Sequence, residues 1–286
     1  MVDTSHKISG VLQLMRLDRP IGSLLLLWPT LWALWLAGRG RPAPGIVLIF
    51  IIGVFVMRAA GCTINDYADR NIDGLVKRTA GRPLVTGVIS PRQALVLFAG
   101  LCTLAFVLVI NLNRLTIELS FIGALLAASY PFVKRLTHLP QLYLGLAFGW
   151  GIPMAYAAEA NTLTAPSWWL LAANIFWVIA YDTLYAMVDR DDDLKIGVKS
   201  TAILFGRHDL TAIVICYVLM FACLLQLGQL LSLNAYYYLG LAIALLTAAW
   251  QLYQARERTR DSCFKAFLNN SWVGAVIFFG LLLAYL

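Results

Sequence analysis

Long apolar stretches separated by polar connections dominate the chain. Nine of them are long enough, at roughly 17–25 residues, to cross the hydrocarbon core of a bilayer as helices. We predict spans near 21–38, 44–65, 92–111, 115–133, 140–158, 168–188, 210–230, 235–253 and 267–286. The connections after the second and sixth spans are long and rich in charge. The pattern predicts an all-α integral membrane protein.

The composition and the placement of charge support a membrane location. Of the 286 residues, 60% are hydrophobic and 13% are charged, whereas a soluble domain carries about a quarter charged residues. The net charge is +7, and 18 of the 22 Lys and Arg residues fall in segments on one side of the predicted spans. This distribution argues against a nucleic-acid surface. The positive-inside rule places the N-terminus and the long loops in the cytoplasm, as expected in a bacterial-type inner (plasma) membrane.

A weak internal repeat divides the chain. Asp69-x-x-x-Asp73 precedes Lys77-Arg78-Thr79-Ala80, and Asp189-x-x-x-Asp193 precedes Lys199-Ser200-Thr201-Ala202. The two motifs are separated by four predicted spans. We therefore predict a single membrane-embedded domain, residues 1–286, made of two four-helix halves and a ninth helix. Sites at the interface of such repeats are common in polytopic membrane proteins.

Acidic residues concentrate in two windows, 66–73 and 182–193, which hold eight of the 15 carboxylates. If the second span continues as a helix, its three aspartates share one face. The aspartates at 182, 189 and 193 share a face of the sixth span in the same way. Like charges stacked in this manner repel, so a cation should lie between them. Oxygen ligands favour Mg²⁺, which typically keeps waters or substrate phosphates. The scattered cysteines and histidines give no ligand pattern.

Basic residues near these aspartates extend the predicted chemistry. They could hold the oxygens of a diphosphate, and the candidates are Arg78, Arg82, Lys134, Lys195 and Lys199. Ionisation of an allylic diphosphate would leave a carbocation facing an aromatic wall. Candidates for that wall are Trp28, Trp32, Phe148, Trp150, Tyr156, Tyr181 and Tyr185. A solvated, charge-balanced surface is the preferred interpretation for Asp191, Arg70, Arg190 and the 256–260 run.

A cation or proton transporter is the alternative of a different class. Transport carboxylates are expected near the bilayer midplane on discontinuous helices. Here both acidic windows lie at one end of their spans, and Glu118 and Glu159 on the other side are isolated. The pattern therefore favours an enzyme.

The motifs resemble those of the UbiA superfamily of intramembrane prenyltransferases and, within it, the 4-hydroxybenzoate polyprenyltransferases. The two aspartate motifs carry the first resemblance, together with Asn65-Asp66. The closer one rests on segments along nearly the whole chain, namely Arg16-Leu17-Asp18-Arg19-Pro20-Ile21-Gly22, Met57-Arg58-Ala59-Ala60-Gly61-Cys62, Lys77-Arg78-Thr79-x-x-Arg82-Pro83-Leu84, Tyr130-Pro131-Phe132-x-Lys134-Arg135 and Tyr181-Asp182-Thr183-x-Tyr185-Ala186-Met187-x-Asp189-Arg190-Asp191-Asp192-Asp193.

The resemblance implies a nine-helix bundle around a lipid-accessible cavity, and prenylation of 4-hydroxybenzoate ortho to its hydroxyl in ubiquinone biosynthesis. It implies Mg²⁺ held by Asn65, Asp66, Asp69, Asp73, Asp189 and Asp193, with Tyr130 and Lys134 near the diphosphate. Arg16 and Arg135 match arginines near the acceptor carboxylate, although either could bind diphosphate or lipid phosphate. A naphthoate, a haem or a sugar remains an alternative acceptor. The ring proton could pass to Asp189 or to the released diphosphate. No protein partner is implied.

Overall fold

A computed structural model describes residues 4–286, except the side chains of residues 4–6, Lys134 and Arg135. Twelve α-helices and two short 3₁₀ helices, Asp73–Leu75 and Gly206–His208, make up the regular structure of this part, which contains no strand. The α-helices are α1 (Thr4–Leu14), α2 (Ile21–Ala37), α3 (Pro44–Asp69), α4 (Pro91–Val109), α5 (Arg114–Leu136), α6 (Pro140–Gly149), α7 (Gly151–Ala160), α8 (Ala165–Ile196), α9 (Thr201–Phe205), α10 (Asp209–Leu230), α11 (Ala235–Ala255) and α12 (Arg260–Ala284).

Seven segments of the described chain are helical, long and apolar enough to cross a membrane, so the protein is multi-pass. The all-α class is confirmed, whereas the count of nine spans stays a prediction. The difference lies in two places. Helix α2 has 17 residues and is a shorter apolar helix. The predicted span 140–158 is divided at Trp150 into α6 and α7, each of 10 residues.

Helix boundaries follow local capping chemistry. The Ser90 hydroxyl accepts a hydrogen bond from the Gln93 backbone N–H, and the Gln93 side-chain oxygen accepts one from the Ser90 backbone N–H, which forms a capping box before α4. Asn113 caps α5 by accepting from the Thr116 backbone N–H. Thr259 starts α12 in the same manner. Each cap satisfies one of the backbone donors that have no partner within the helix at its start.

Helix α8 lies in the core, and buried polar groups tie it to its neighbours. The Trp177 indole N–H donates to Asn270 Oδ1 on α12 at 3.0 Å, and the Tyr217 hydroxyl on α10 donates to the same oxygen at 2.7 Å. Trp177 also stacks on Trp32 of α2, with ring centroids 5.3 Å apart. Buried groups satisfied in this way fix the relative positions of four helices. Trp32, a candidate for the aromatic wall, is therefore a core residue.

Helices α11 and α12 approach each other most closely at two glycines. A Cβ atom added to Gly280 would lie 2.9 Å from Gly240 Cα, and one added to Gly240 would lie 2.8 Å from Gly280 Cα. Small residues permit this approach of two backbones, which is a common means of packing helices in membranes.

Replacing Gly280 with Ala is expected to lower the melting temperature of the detergent-solubilised protein. The added methyl meets backbone that cannot rotate away, and overpacking of this kind costs about 1–3 kcal/mol. Gly100→Ala on α4 is the matched control, since Gly100 has open space around its Cα. It should leave stability unchanged or raise it by up to about 1 kcal/mol, because Ala favours helix. Equal melting temperatures for the two variants would contradict the close crossing.

Three arginines, near the end of α8 and around the start of α12, pair with buried carboxylates. Buried Asp209 accepts a hydrogen bond from Arg258 Nε at 2.9 Å and contacts Arg190 as well. Arg260 donates to buried Asp192 at 3.1 Å. The surface interpretation is therefore wrong for Arg190, Arg258 and Arg260, because these side chains neutralise buried carboxylates. Arg256 and Glu257 in the same run are exposed, so the surface interpretation holds for them. It is confirmed for Asp191, whose side chain is 75% exposed.

Candidate active site

One large cavity of about 1590 Å³ opens among the membrane helices. Side chains from α2, α3, α4, α5, α6, α8 and α12 line it. Its wall is apolar along α4 and α5, with Phe106 and Phe121, and becomes charged where α3 and α8 end. A cavity with this polarity can take an amphipathic molecule that has a long apolar tail and an anionic head.

The charged end contains five aspartates, Asp66, Asp69, Asp73, Asp189 and Asp193, which we call the carboxylate layer. Helix α8 carries its two members on one face, as predicted. The condition that the second span continues as a helix through the first motif is not met, because α3 ends at Asp69. A turn in which the Ile72 N–H donates to the Asp69 carbonyl leads to Asp73 in the following 3₁₀ helix. The motif still reaches the cavity, but through a turn.

Arginines hold the carboxylates that come from α3 and its loop. Arg16 donates to both Asp66 oxygens, at 2.9 and 3.1 Å. Arg82 lies between Asp66 and Asp73, with its Nη1 atom 2.9 Å and 2.6 Å from their oxygens. Arg16 has a φ of 58°, a left-handed conformation that is unusual for a non-glycine residue. This backbone geometry follows α1 and delivers the guanidinium into the site.

The carboxylate from α8 has its own arginine. Arg78 donates through Nε to Asp189 Oδ1 at 3.0 Å and through Nη2 to Oδ2 at 2.6 Å. The same guanidinium lies over the Tyr185 ring, with 4.6 Å from its carbon to the ring centroid. The loop after α3 thereby joins the first motif to the second. The predicted neighbours Arg78 and Arg82 are both at the carboxylate layer.

The donor set at this layer fits a hard cation that shares its coordination with a substrate. Among the described residues no group of three or more His, Cys, Asp or Glu side chains is arranged to hold a metal by itself. Mg²⁺ typically takes one or two carboxylates and completes its shell with waters and phosphate oxygens. Burial raises the pKa of Asp73, and the Arg82 guanidinium opposes that rise. A bound cation would likewise favour the ionised carboxylates.

The other predicted site residues are distributed unevenly. Asn65, Tyr130 and Lys199 line the cavity, and Lys199 Nζ is 3.4 Å from the Leu136 carbonyl oxygen. Lys195 is in the electrostatic environment of Asp192 and is not among the cavity-lining residues. Lys134 and Arg135 lie on α5, but their side chains are outside the described part of the chain. Their roles stay predictions.

Four of the seven predicted aromatic residues line the cavity, Phe148, Trp150, Tyr181 and Tyr185. The other three are not among its lining residues; Trp28 instead donates its indole N–H to Ser271 at 3.0 Å. Phe264 and Phe267 of α12 were not predicted and complete the wall, with the Phe267 ring centroid 4.6 Å from that of Tyr185. The sequence pattern did not mark these two residues as part of the wall, because they follow the amphipathic start of an otherwise apolar helix.

A second set of polar residues lies deeper in the cavity. One of them, Asp182, was predicted to share a cation site with Asp189 and Asp193, and the other two were assigned no role. We call Arg58, Asp182 and Gln141 the inner layer. Asp182 precedes Asp189 by seven residues on α8, about 10 Å along the helix axis. Arg58 precedes Asp66 by eight residues on α3, at a similar depth. The signal was available, because an ionisable residue within a membrane span marks a functional site by default.

The Arg58 guanidinium faces the cavity between apolar and aromatic groups. It lies 5.5 Å from the Phe148 ring centroid, and a Cβ atom at Gly22 would be 2.6 Å from its Nη2. Its Nε is buried and has no hydrogen-bond partner among the described residues. Asp182, Tyr130 and Tyr181 are in its electrostatic environment. A buried guanidinium with an unpartnered donor is suited to bind an anionic group of a ligand.

Comparison with known proteins shows the family of the chain. The model of the UbiA prenyltransferase family matches residues 26–283. The chain belongs to the UbiA prenyltransferase family. Two similar relatives are the 4-hydroxybenzoate octaprenyltransferases of Aeromonas salmonicida (strain A449) and Vibrio cholerae serotype O1 (strain M66-2). Each is 58% identical; the first match covers 99% of this chain and 98% of the relative, and the second 98% and 99%.

Solved members of the UbiA family share the fold. The apo structure of a UbiA homolog from Aeropyrum pernix K1 superposes with a TM-score of 0.83 at 27% identity, covering 94% of this chain and 99% of that one. A UbiA homolog from Archaeoglobus fulgidus, solved bound to GPP and Mg²⁺, gives a TM-score of 0.74 at 16% identity over 95% of this chain and 99% of that one. The second likeness shows the fold alone.

Proposed function

We propose that this prenyltransferase transfers a polyprenyl group from polyprenyl diphosphate to the ring carbon of 4-hydroxybenzoate ortho to its hydroxyl, in ubiquinone biosynthesis. Relatives 58% identical over almost their whole length are named for this acceptor and an octaprenyl donor. The observation that carries the proposal is one cavity with two polar layers, a carboxylate layer at its mouth and a buried arginine beneath it. The carboxylate layer suits the diphosphate of the donor, and the buried arginine suits the carboxylate of the aromatic acid.

The carboxylate layer is proposed to bind the diphosphate with magnesium. Its ligands would be Asn65, Asp66, Asp69, Asp73, Asp189 and Asp193. Magnesium bound there would neutralise the departing diphosphate and act as a Lewis acid. The diphosphate oxygens left over would be held by Arg78, Arg82, Tyr130, Lys134, Lys195 and Lys199. Arg16 joins this set, because it contacts Asp66 in the carboxylate layer.

Arginine and aromatic side chains of the protein would assist ionisation of the allylic diphosphate. Arg78, Arg82 and Arg16 now hold aspartate oxygens, and diphosphate oxygens offer them an equivalent charged partner. Tyr185, Phe264 and Phe267 line the same cavity, and Tyr185 lies between Asp182 and Asp189 along α8, where the allylic carbon would lie. Their rings stabilise a developing cation and exclude water that would capture it. The apolar wall toward α4 and α5 takes the prenyl tail.

The acceptor is proposed to bind with its carboxylate on Arg58. A guanidinium offers two parallel hydrogen bonds to a carboxylate, and in this dry position it would otherwise stay partly unpartnered. Anchored there, the phenol ring points toward the carboxylate layer and the allylic carbon. Arg135 remains a second proposed contact of the acceptor, as its motif implies.

The proposed arrangement in the membrane follows the charge pattern. Nine spans, with α2 and the α6–α7 pair crossing in addition to the seven long helices, would form one domain over residues 1–286. The carboxylate layer and the N-terminus would face the cytoplasm of a bacterial-type inner membrane. Prenyl diphosphate could then enter laterally from the lipid, while the water-soluble acid arrives from the cytoplasm.

Removing divalent metal is expected to abolish product formation. With excess EDTA the diphosphate is no longer neutralised as it leaves, and added Mg²⁺ should restore the rate. The measurement is prenylated product from purified protein in detergent, with the melting temperature recorded at each step. Turnover that persists in excess chelator, in folded protein, would contradict a metal-dependent ionisation.

A further inference from the structure

Asp182 is a carboxylate of the inner layer that the functions assigned so far do not use. It lies within α8, lines the cavity and is about 10 Å deeper than Asp189 along the helix. A carboxylate within a membrane span is costly and is retained for a role. Asp182 is too far along the helix to lie in the carboxylate layer, and it faces the space assigned to the acceptor.

The neighbours of Asp182 fix its position and leave its carboxylate able to accept a proton. Gln141 of α6 is a polar neighbour of Asp182 in the inner layer. Gln141 is itself fixed, because its Oε1 accepts the Thr201 backbone N–H at 3.1 Å, which leaves its amide N–H groups for Asp182. Thr201 is anchored in turn by a 2.7 Å hydrogen bond with the Thr183 hydroxyl. No described cation forms a salt bridge with Asp182 within 4.0 Å, although Arg58 and Arg78 contribute attraction at longer range.

We propose that Asp182 accepts the ring proton of the aromatic acceptor, with Gln141 as its positioning residue. The inference rests on the proposed function and deepens it. The C1–O bond of the allylic diphosphate breaks, and diphosphate leaves with the electron pair. The ring carbon ortho to the hydroxyl forms a bond to C1. The C–H bond at that carbon then breaks, its electrons restore the aromatic ring, and the proton passes to an Asp182 carboxylate oxygen.

The geometry favours Asp182 over the two other candidates for this proton. Asp189 already shares both oxygens with Arg78, so its carboxylate is committed to the diphosphate end. Released diphosphate lies in the same layer. An acceptor carboxylate held by Arg58 would keep the ring at a depth similar to that of Asp182, in the same cavity.

The test is a hydrogen isotope effect on turnover in wild type and in Asp182→Asn. The substrates are geranyl diphosphate, Mg²⁺ and 4-hydroxybenzoate carrying deuterium at both positions ortho to the hydroxyl. In wild type, ionisation should limit the rate and the isotope effect should be close to unity. In Asp182→Asn, kcat should fall about a hundredfold, and the isotope effect should rise above unity, because loss of the ring proton becomes limiting.

Asp182→Glu keeps the proposal testable if the amide variant does not fold. It retains the base but misplaces it by one methylene, so it should recover part of the rate and still show an isotope effect above unity. Gln141→Leu should shift kcat in the same direction with a smaller loss. A lower rate without an isotope effect in either folded Asp182 variant, or a wild-type rate in Asp182→Asn, would overturn the assignment. Failure of wild type to prenylate 4-hydroxybenzoate would instead contradict the proposed function.

Discussion

Asp189→Asn is expected to lower kcat by about a thousandfold, the scale of loss when a preorganised electrostatic group is removed from an active site. The substitution keeps the shape of the side chain but removes its charge. It thereby removes one proposed magnesium ligand and the partner that Arg78 holds at 2.6 Å. The measurement is the rate of prenylated product formed by purified protein in detergent with saturating substrates.

Asp191→Asn provides the matched control two residues away on the same helix. Its side chain is 75% exposed, and its contact with Arg260 is a long 3.5 Å. We expect wild-type turnover from it, because exposed ion pairs contribute little. Equal membrane expression and melting temperature in both variants would show that the fold is intact. Wild-type activity in Asp189→Asn would remove Asp189 from the metal site.

Arg58→Gln is expected to raise the KM for 4-hydroxybenzoate by about a hundredfold, since losing one partner of a buried charge pair costs roughly 2–5 kcal/mol. The KM for the prenyl diphosphate should change little, because Arg58 lies in the inner layer and not among the aspartates. The neutral amide of the acceptor should bind wild type poorly and should lose little further in the variant. Steady-state kinetics with each substrate varied in turn gives both constants.

Two comparisons define the role of Arg58. Arg114→Gln removes a 92% exposed arginine and should leave both constants unchanged. Arg135→Gln tests the arginine that the sequence motif places near the same carboxylate. A larger effect on the aromatic acid in Arg135→Gln than in Arg58→Gln would move the principal anchor to Arg135. An increase confined to the prenyl diphosphate would move Arg58 to the diphosphate site.

Hydrophobic periodicity and charge spacing predicted much of the architecture, because both depend on local sequence. The shared face of Asp189 and Asp193 follows from helical geometry alone, although α8 (Ala165–Ile196) is longer than the predicted span 168–188. The end of α3 at Asp69 was not predicted from the sequence, because the turn that brings Asp73 to the cavity depends on Arg82 and Thr79 in the next loop. The break at Trp150 depends on packing between helices in the same way.

The carboxylate layer was predictable, whereas the association of Arg58 with Asp182 was not, for a physical reason. Clusters of like charge in sequence stand out wherever they fall. Asp182 belongs to such a cluster, but Arg58 is a single charge on α3, 124 positions earlier, and only the fold brings both to one cavity. Arg190 and Arg258 were misinterpreted for a related reason, since their buried partner Asp209 lies on a third element.

Product formation from geranyl diphosphate, Mg²⁺ and radiolabelled 4-hydroxybenzoate tests the central claim most directly. Purified wild-type protein should yield one labelled product in which the prenyl group is on the carbon ortho to the hydroxyl, and Asp189→Asn should yield almost none. Product from a naphthoate, haem or sugar acceptor instead would keep the fold and the ionisation and change the acceptor. No product from any of these acceptors, in protein shown to be folded, would contradict the account.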